Sequence, residues 1–268
     1  MLIKRLLTAV VLIPLIVLAT LKFDSSEFAL AIMPVLVISS WEYSRLIKIN
    51  HWLTKTLYIV VLTTTAYYLN QMSALLMPIL IVTLLWWLIN LFWIINFHRY
   101  TRSWYNYPAT RIINGFLFFI PLLVALTALH QIDKTLVLLL LALVWAADTG
   151  AYLVGRKIGK NKLLPNVSPG KTVEGAAGGI LFSFGTMLIY VYLGHENADF
   201  TLYFFYGVLS LIAVLSSILG DLFESLHKRV AGFKDSGILL PGHGGLFDRI
   251  DSLTASAPIF LLAYSFLA

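Results

Sequence analysis

A short polar stretch near the end of this apolar chain has a density of ionisable groups and glycines found nowhere else in the sequence. It runs from Asp221 to Asp251 and includes four lysines and arginines besides its carboxylates. Carboxylates, cations and a glycine-rich segment together suit a metal–polyphosphate site. Because apolar runs flank the stretch on both sides, the sequence predicts an enzyme that joins a soluble phosphorylated substrate to a lipid.

The first part of the stretch predicts a helix with one polar face. Its polar residues lie at offsets of 0, 3, 4 and 7, which places them on one side of a helix: Asp221, Glu224, Ser225 and Lys228. A helix that merely leaves a membrane usually becomes polar all round, so a single polar face favours a site. The alternative is a solvated helix end in which Glu224 and Lys228 pair with each other.

Glycines surround a histidine in the middle of the stretch, in the order Pro241-Gly-His243-Gly244-Gly245. Glycine lets the backbone approach a ligand closely, and successive amides can form an anion-binding nest. We therefore place Gly244 and Gly245 among the residues that bind substrate. His243 is a candidate general base or phosphate donor, and the alternative is a loop-capping role.

Two aspartates, Asp248 and Asp251, open the last predicted helix and share one of its faces. Carboxylates at a helix N-terminus are favoured by the helix dipole, so capping is the alternative role of Asp251. Magnesium prefers oxygen ligands and is commonly held by one or two carboxylates plus substrate phosphates. If the last two helices are antiparallel, Asp221 and Asp248 come together, and we predict that this pair binds the metal.

Further candidates lie upstream. Asp148 and Tyr152 are four residues apart at the end of an apolar run, and Lys171 precedes a glycine-rich helix start, which favours phosphate binding. The spacing is not that of a P-loop. Glu42 is an acidic residue within an apolar run, which suggests function, although a local ion pair with Arg45 explains it equally well.

Composition predicts an all-α polytopic membrane protein. The 268 residues are 59% hydrophobic and 12% charged, with a mean hydropathy of +0.86, whereas soluble domains are about 25% charged. No cysteine is present, which excludes disulfides and thiolate metal sites. Since a helical span needs roughly 20 apolar residues, we expect nine spans, at about 6–22, 27–46, 56–71, 73–97, 112–130, 134–154, 175–194, 203–223 and 251–268.

The chain is expected to form a single integral membrane domain over residues 1–268, with a scaffold up to about 130 and a catalytic half from about 140. The first span resembles a signal peptide in its basic start. Its apolar run is long and lacks a clear cleavage site, so we expect an uncleaved anchor. With a cytoplasmic N-terminus, all lysines and arginines except Lys22 and Lys134 lie inside. The positive-inside rule thus predicts a C-terminus outside and an active site on the cytoplasmic side of the inner (plasma) membrane.

The pattern S-x-x-K-R, four residues, K-D, then P-x-H-G-G, two residues, D-R-x-D occurs without departure from Ser225 to Asp251. In this pattern, hereafter the signature segment, the chain resembles the phosphatidate cytidylyltransferases, also called CDP-diacylglycerol synthases. The segments around Asp148 and from Ser168 to Gly175 also resemble upstream stretches of that family.

The resemblance implies transfer of a cytidylyl group from CTP to phosphatidate, giving CDP-diacylglycerol and pyrophosphate. It also implies a Mg²⁺ requirement, with a second cation left open, an all-helical membrane fold and a homodimer. The family's metal-associated acidic positions correspond to Asp221 and Asp248, the pair predicted above. We assign catalysis to these two with Lys228, Arg229 and His243. The predicted substrate-binding residues are Ser225, Lys234, Asp235, Gly244, Gly245, Arg249, Asp251, Asp148, Lys171 and Glu174.

Two other classes of protein compete with this prediction. A CTP-dependent polyprenol or lipid kinase would share the nucleotide and the membrane, but its neutral alcohol acceptor would require a base. A transporter would also place polar residues at membrane level, yet transporters usually carry inverted repeats and midplane sites. The sequence shows no internal repeat, and its polar residues cluster at one end of the predicted spans. CTP, phosphatidate and membrane lipid are the expected partners, and nucleic acid is not.

Overall fold

The computed structural model describes residues 2–97, 107–237, 239 and 244–268, with side chains of the first helix described at residue 10 and from residue 12. In these ranges the chain forms nine α-helices and one antiparallel β-hairpin. The helices are α1 (Leu2–Lys22), α2 (Ser25–Leu46), α3 (Trp52–Asn70), α4 (Leu76–Ile95), α5 (Pro108–Ile132), α6 (Lys134–Ile158), α7 (Val173–Gly194), α8 (Phe200–Ala231) and α9 (Phe247–Leu267). The strands are β1 (Lys162–Leu164) and β2 (Ser168–Thr172), and a 3₁₀ turn (Ser73–Leu75) precedes α4.

The hairpin is the one departure from the expected all-helical fold within the described residues. It pairs Lys162 with Thr172 and Leu164 with Ser168. Pro165, Pro169 and Gly170 lie in this segment, and such residues oppose helix formation because proline lacks an amide donor and glycine is conformationally free. The basic loop between α6 and α7 therefore folds into a short sheet.

Six helices of the described chain are long and apolar enough to cross a membrane. One is the segment 73–95, which consists of the 3₁₀ turn and α4, and the other five are α5 to α9. In α1, whose side chains are described continuously from residue 12, the described apolar stretch is Leu12–Lys22. Helix α2 carries Glu27, Glu42 and Arg45, and α3 contains five threonines, which lower their mean hydropathy. A membrane-spanning helical protein is thus supported, whereas nine spans remain a prediction.

Contacts between helix ends show that α2 runs antiparallel to α1 and α5. At one end, His130 near the end of α5 bonds to the carbonyl of Thr20, and the Lys134 ammonium donates to the carbonyl of Phe23 at 2.6 Å. At the other end, the Arg111 guanidinium near the start of α5 donates to the carbonyl of Ile47, just after α2. This second end, where α2 and α8 finish and α9 begins, is called the site end below. Lys22 and Lys134, the two residues predicted to lie outside, are both at the opposite end.

A cluster of buried aromatic rings fixes the helices below the site end. The Phe118 ring of α5 lies 5.4 Å from Tyr43 of α2, 5.5 Å from Phe223 of α8 and 5.4 Å from Phe247 of α9, measured between centroids. Two of these contacts are edge-to-face, a favourable arrangement for aromatic pairs. Because the rings belong to four helices, the cluster sets where α2, α8 and α9 deliver their polar residues.

Candidate active site

Helix α8 is long enough to carry catalytic residues beyond its apolar part. Its 32 residues extend about 48 Å, whereas roughly 20 residues are sufficient to span the hydrocarbon core. The side chain of Asp199 caps its start, and Gly232 follows its end in a left-handed conformation, with φ of 83°. The last three turns of α8, from Asp221 onward, therefore lie at the site end.

Gly220 brings α8 and α9 into close contact at this level. A Cβ atom at this position would lie 2.5 Å from the carbonyl oxygen of Asp251 and 3.2 Å from Cα of Ser252. Small residues at helix interfaces allow backbones to approach in this way. The contact places Asp251 beside the next residue of α8, Asp221.

Three carboxylates meet at this contact, and we call them the carboxylate cluster: Asp221, Glu224 and Asp251. Each offers an oxygen within 4.8 Å of the others. Glu224 is fully buried, and its carboxylate pairs with the ammonium group of a single lysine. Buried charges are costly unless they are paired or bind a metal, and three converging carboxylates are more than that lysine can neutralise, so the cluster suits a hard cation such as Mg²⁺.

Lys228 connects the cluster to Asp248. Its ammonium group forms ion pairs with Glu224, one turn earlier in α8, and with Asp248 of α9 at 2.8 Å. The internal pairing considered as an alternative from the sequence is thus present, but as part of a bridge between two helices. The carboxylate of Asp248 also accepts the backbone N–H groups of Ser236, at 3.0 Å, and Gly245, at 2.7 Å. Asp248 is therefore close to the cluster but outside it, and its predicted role as a metal ligand stays a prediction.

A pocket of about 240 Å³ adjoins the cluster between α6, α7, α8 and the hairpin. The Lys171 ammonium of β2 pairs there with Asp221 at 2.6 Å, and Ser225 donates to the same carboxylate at 3.3 Å. Asp148 also lines the pocket. Thr172, in contrast, caps α7 by accepting the N–H of Gly175. The structure thus brings Asp148 and Lys171 to Asp221 from 73 and 50 residues away along the chain.

Two predicted site residues, one assigned to catalysis and one to substrate binding, lie outside the cluster. Arg229, the predicted catalytic residue, donates to the carbonyl of Val167 in the hairpin, at 3.4 Å. Glu174, the predicted substrate-binding residue, accepts the N–H groups of Lys160 and Asn161, so its carboxylate holds the turn into the hairpin. Both roles remain predictions.

The remaining predicted residues follow the end of α8 or begin α9. Lys234 and Asp235 are exposed, and Gly244 adopts a left-handed conformation with φ of 81°. Arg249 is exposed and lies at the edge of an apolar cleft described below. Pro241 and His243 lie outside the described residues, so the structure does not bear on the predicted role of His243.

The structure adds three residues to the site that the sequence did not assign. Glu224 was placed on the polar face but not among the metal ligands, and its burial distinguishes it. Ser236 was not singled out, because its role depends on a backbone N–H contact to Asp248. Glu42 of α2 also reaches this region and accepts the N–H of Phe247 at 2.8 Å. The rule that acidic residues in apolar helices are functional identifies Glu42 as a candidate, but not its partner.

Comparison with known proteins identifies the family of this chain. The profile of the cytidylyltransferase family matches residues 3–267. A phosphatidate cytidylyltransferase of Haemophilus influenzae is 35% identical, with 99% of each chain covered. One of Pseudomonas aeruginosa is 36% identical, covering 97% of this chain and 96% of its own. One of Staphylococcus aureus is 47% identical over 44% of each chain. With a match over nearly its whole length, this chain belongs to the cytidylyltransferase family.

Proposed function

We propose that this protein transfers a cytidylyl group from CTP to phosphatidate, producing CDP-diacylglycerol and pyrophosphate for phospholipid biosynthesis. The observation that carries the proposal is the carboxylate cluster with its lysines at the site end of a membrane-spanning bundle. The relatives from Haemophilus and Pseudomonas bear the name of this activity and align over nearly all of the chain. Both the chemistry of the site and the relatives favour nucleotidyl transfer.

In the proposed reaction, a phosphate oxygen of phosphatidate forms a bond to the α-phosphorus of CTP, and the bond to the leaving pyrophosphate breaks. The attacking phosphate is already anionic near neutral pH, so no strong base is required. Catalysis then consists mainly of positioning and of neutralising charge. Lys171 and Lys228, the cations paired with the carboxylates, are suited to hold phosphate oxygens of the substrates. Arg249 lines the apolar cleft in which we place the lipid.

The carboxylate cluster fits a divalent cation by its donor set, because three carboxylates converge and two of them are buried. We propose that Asp221, Glu224 and Asp251 hold Mg²⁺, with Asp248 as the alternative ligand predicted from the sequence. When bound, such an ion neutralises charge on phosphate oxygens and on the leaving group. Lys228 would meanwhile keep Asp248 oriented toward the cluster.

An apolar cleft of about 730 Å³ supports a lipid substrate. It lies between α1, α2, α5, α6 and α9, and Leu15, Ile32, Leu126 and Leu253 are among its lining residues. Arg249 lines the same cleft on the first turn of α9. Acyl chains in the cleft would place a lipid phosphate near this guanidinium, which suits bidentate phosphate recognition.

The site end is proposed to face the cytoplasm, where CTP is supplied, in the inner membrane of the cell. The distribution of basic residues supports this orientation, because Lys22 and Lys134 are together at the opposite end. Nine spans and a C-terminus outside follow if α1, α2 and α3 also cross the membrane. The homodimer implied by the resemblance stays a prediction.

We expect a reporter fused after Ala268 to be located outside the cytoplasm. Alkaline phosphatase at this position should be active, and green fluorescent protein should be dark. The reason is that the positive-inside rule places the site end in the cytoplasm, and α9 runs from the site end to Ala268. A fusion in the basic loop after Lys160 is the control and should show the reverse pattern. A cytoplasmic result at Ala268 would mean that an even number of helices crosses the membrane and that the nine-span prediction is wrong.

The proposed reaction is tested with purified protein, phosphatidate, Mg²⁺ and CTP labelled at either the α- or the γ-phosphate. We expect the α label to enter the lipid fraction and the γ label to appear in pyrophosphate. A lipid kinase would instead transfer the γ label to lipid, most clearly with a polyprenol or diacylglycerol acceptor. Transfer of the γ label, or no transfer to phosphatidate, would contradict the proposal.

A further inference from the structure

Glu42 is a buried carboxylate that approaches the signature segment from a different part of the chain. Its residue is 6% exposed and lies near the end of α2. The carboxylate does not use the nearby Arg45, whose guanidinium lies over the Phe233 ring at 4.3 Å. Instead Oε2 accepts the backbone N–H of Phe247 at 2.8 Å and the hydroxyl of Ser236 at 3.4 Å.

Glu42 and Asp248 hold the same two stretches of backbone, one at Ser236 and the other at residues 245–247. Ser236 donates its hydroxyl to Glu42 and its backbone N–H to Asp248 at 3.0 Å. In the second stretch, Gly245 donates to Asp248 and Phe247 to Glu42. The two carboxylates thus fix residues on either side of the central part of the signature segment, together with the first turn of α9.

Two glycines of the signature segment, Gly237 and Gly245, lie against the Glu42 side chain. For a Cβ atom placed on Gly237, the three nearest atoms all belong to the Glu42 side chain, which would have to shift to make room. A Cβ on Gly245 would also meet Glu42, with Oε2 at 2.6 Å, but additionally the hydroxyl of Ser236 and the N–H of Gly237 at 2.7 Å. A side chain at position 237 would therefore displace Glu42 from its hydrogen bonds.

The hydrogen bonding of Glu42 indicates a role in positioning more than in stability. Its second oxygen, Oε1, is buried without a hydrogen-bond partner among the described residues. A buried carboxylate that is only partly satisfied contributes little net stability, because desolvation offsets its bonds. A charged acceptor nevertheless makes short, directional bonds to N–H donors, which suits it to fixing a backbone.

We propose that Glu42 is a positioning residue of the active site: it sets the signature segment, and through it Asp248, against the carboxylate cluster. The proposal rests on the proposed function, since the positioned groups include Asp248, the alternative metal ligand, and Gly245, a predicted substrate-binding residue. It assigns to α2, in the part of the chain expected to be scaffold, a direct role in the geometry of the site. Glu42 itself lies behind the backbone that it holds and is not assigned contact with substrate.

The first test compares Glu42→Ala, Glu42→Gln and the control Ser44→Ala. Ser44 is buried in the same helix, and its hydroxyl bonds to the carbonyl of Trp41 within that helix. We expect Glu42→Ala to lower kcat/KM at least about tenfold. Glu42→Gln should stay within about threefold, because its amide oxygen can still accept the Phe247 N–H. Ser44→Ala should stay within about twofold, as expected for a change remote from the site.

The second test combines Glu42→Ala with each glycine variant. Gly237→Ala alone should lower kcat/KM by at least about tenfold. In the Glu42→Ala background it should cause no further loss, because the atoms that it contacts are gone. Gly245→Ala should remain harmful in that background, since Ser236 and Gly237 still obstruct its Cβ. Additive losses for Glu42→Ala and Gly237→Ala would overturn the proposal.

Hydrogen exchange provides a readout that does not depend on the reaction. Glu42→Ala should speed amide exchange at residues 244–248 while leaving 59–66 of α3 unchanged, and Glu42→Gln should restore slow exchange. Unchanged exchange at 244–248 would overturn the proposal even if activity fell. If the wild-type protein showed no cytidylyl transfer but exchange responded as expected, the proposed function would fail while the positioning role of Glu42 would stand.

Discussion

Replacing Asp221 with asparagine is expected to abolish cytidylyl transfer while leaving the protein folded and inserted. Asp221 is the member of the carboxylate cluster that also contacts Lys171, at 2.6 Å, and lines the adjoining pocket. Losing its charge removes both a proposed metal ligand and the partner of that lysine. We expect kcat/KM to fall by at least about 1,000-fold, the equivalent of roughly 4 kcal/mol of transition-state stabilisation.

The matched control is Asp199→Asn, at the opposite end of the same helix. Asp199 caps α8 by accepting the N–H of Leu202 at 2.9 Å, and asparagine caps helices about equally well. This variant should keep wild-type activity. Activity of Asp221→Asn within a few-fold of wild type, at saturating Mg²⁺, would contradict the assignment.

Binding of Mn²⁺, followed by electron paramagnetic resonance, separates the two candidate ligand sets in the same experiment. We expect Asp221→Asn and Asp251→Asn to weaken Mn²⁺ binding more than Asp248→Asn does, because Asp248 is engaged by Lys228 and by two backbone N–H groups. An equal loss in Asp248→Asn would instead assign Asp248 as a ligand, as the sequence predicts.

The second large effect is expected for Lys228→Met, which should lower both stability and activity. Methionine keeps most of the apolar stem of the side chain but leaves Glu224 and Asp248 without their shared cation. Removing one partner of a buried ion pair typically costs about 3–5 kcal/mol. We therefore expect a clear fall in the thermal unfolding midpoint in detergent, together with loss of cytidylyl transfer.

A double variant separates these two consequences. Lys228→Met combined with Glu224→Gln removes one of the stranded carboxylates and should recover part of the lost stability, but not the activity. A Lys228→Met protein with an unchanged unfolding midpoint would show that the bridge between α8 and α9 contributes nothing to the fold. Full activity in that variant would exclude Lys228 from phosphate binding.

Local patterns in the sequence were sufficient to predict the helices and the polar face of α8. Apolar runs of about 20 residues can satisfy their backbone groups within a membrane only as helices or closed barrels, so composition and run length determine the fold class. The offsets between Asp221 and Lys228 likewise fix which side chains share a helical face. The signature segment identified the family, which the comparisons confirm.

Only the tertiary structure decided which charged groups meet. Glu42 lies more than 190 residues before Ser236 and Phe247, and no spacing rule relates positions so far apart. The contact depends on the aromatic rings that hold α2 against α8 and α9, and on glycine at position 237. Similarly, Asp251 lies with Asp221 and Glu224 in the carboxylate cluster and does not cap α9. It reaches the cluster because Gly220 lets the backbones of α8 and α9 approach each other. Periodicity specifies the face of one helix, whereas the pairing of faces follows from packing between helices, which is a property of the whole chain.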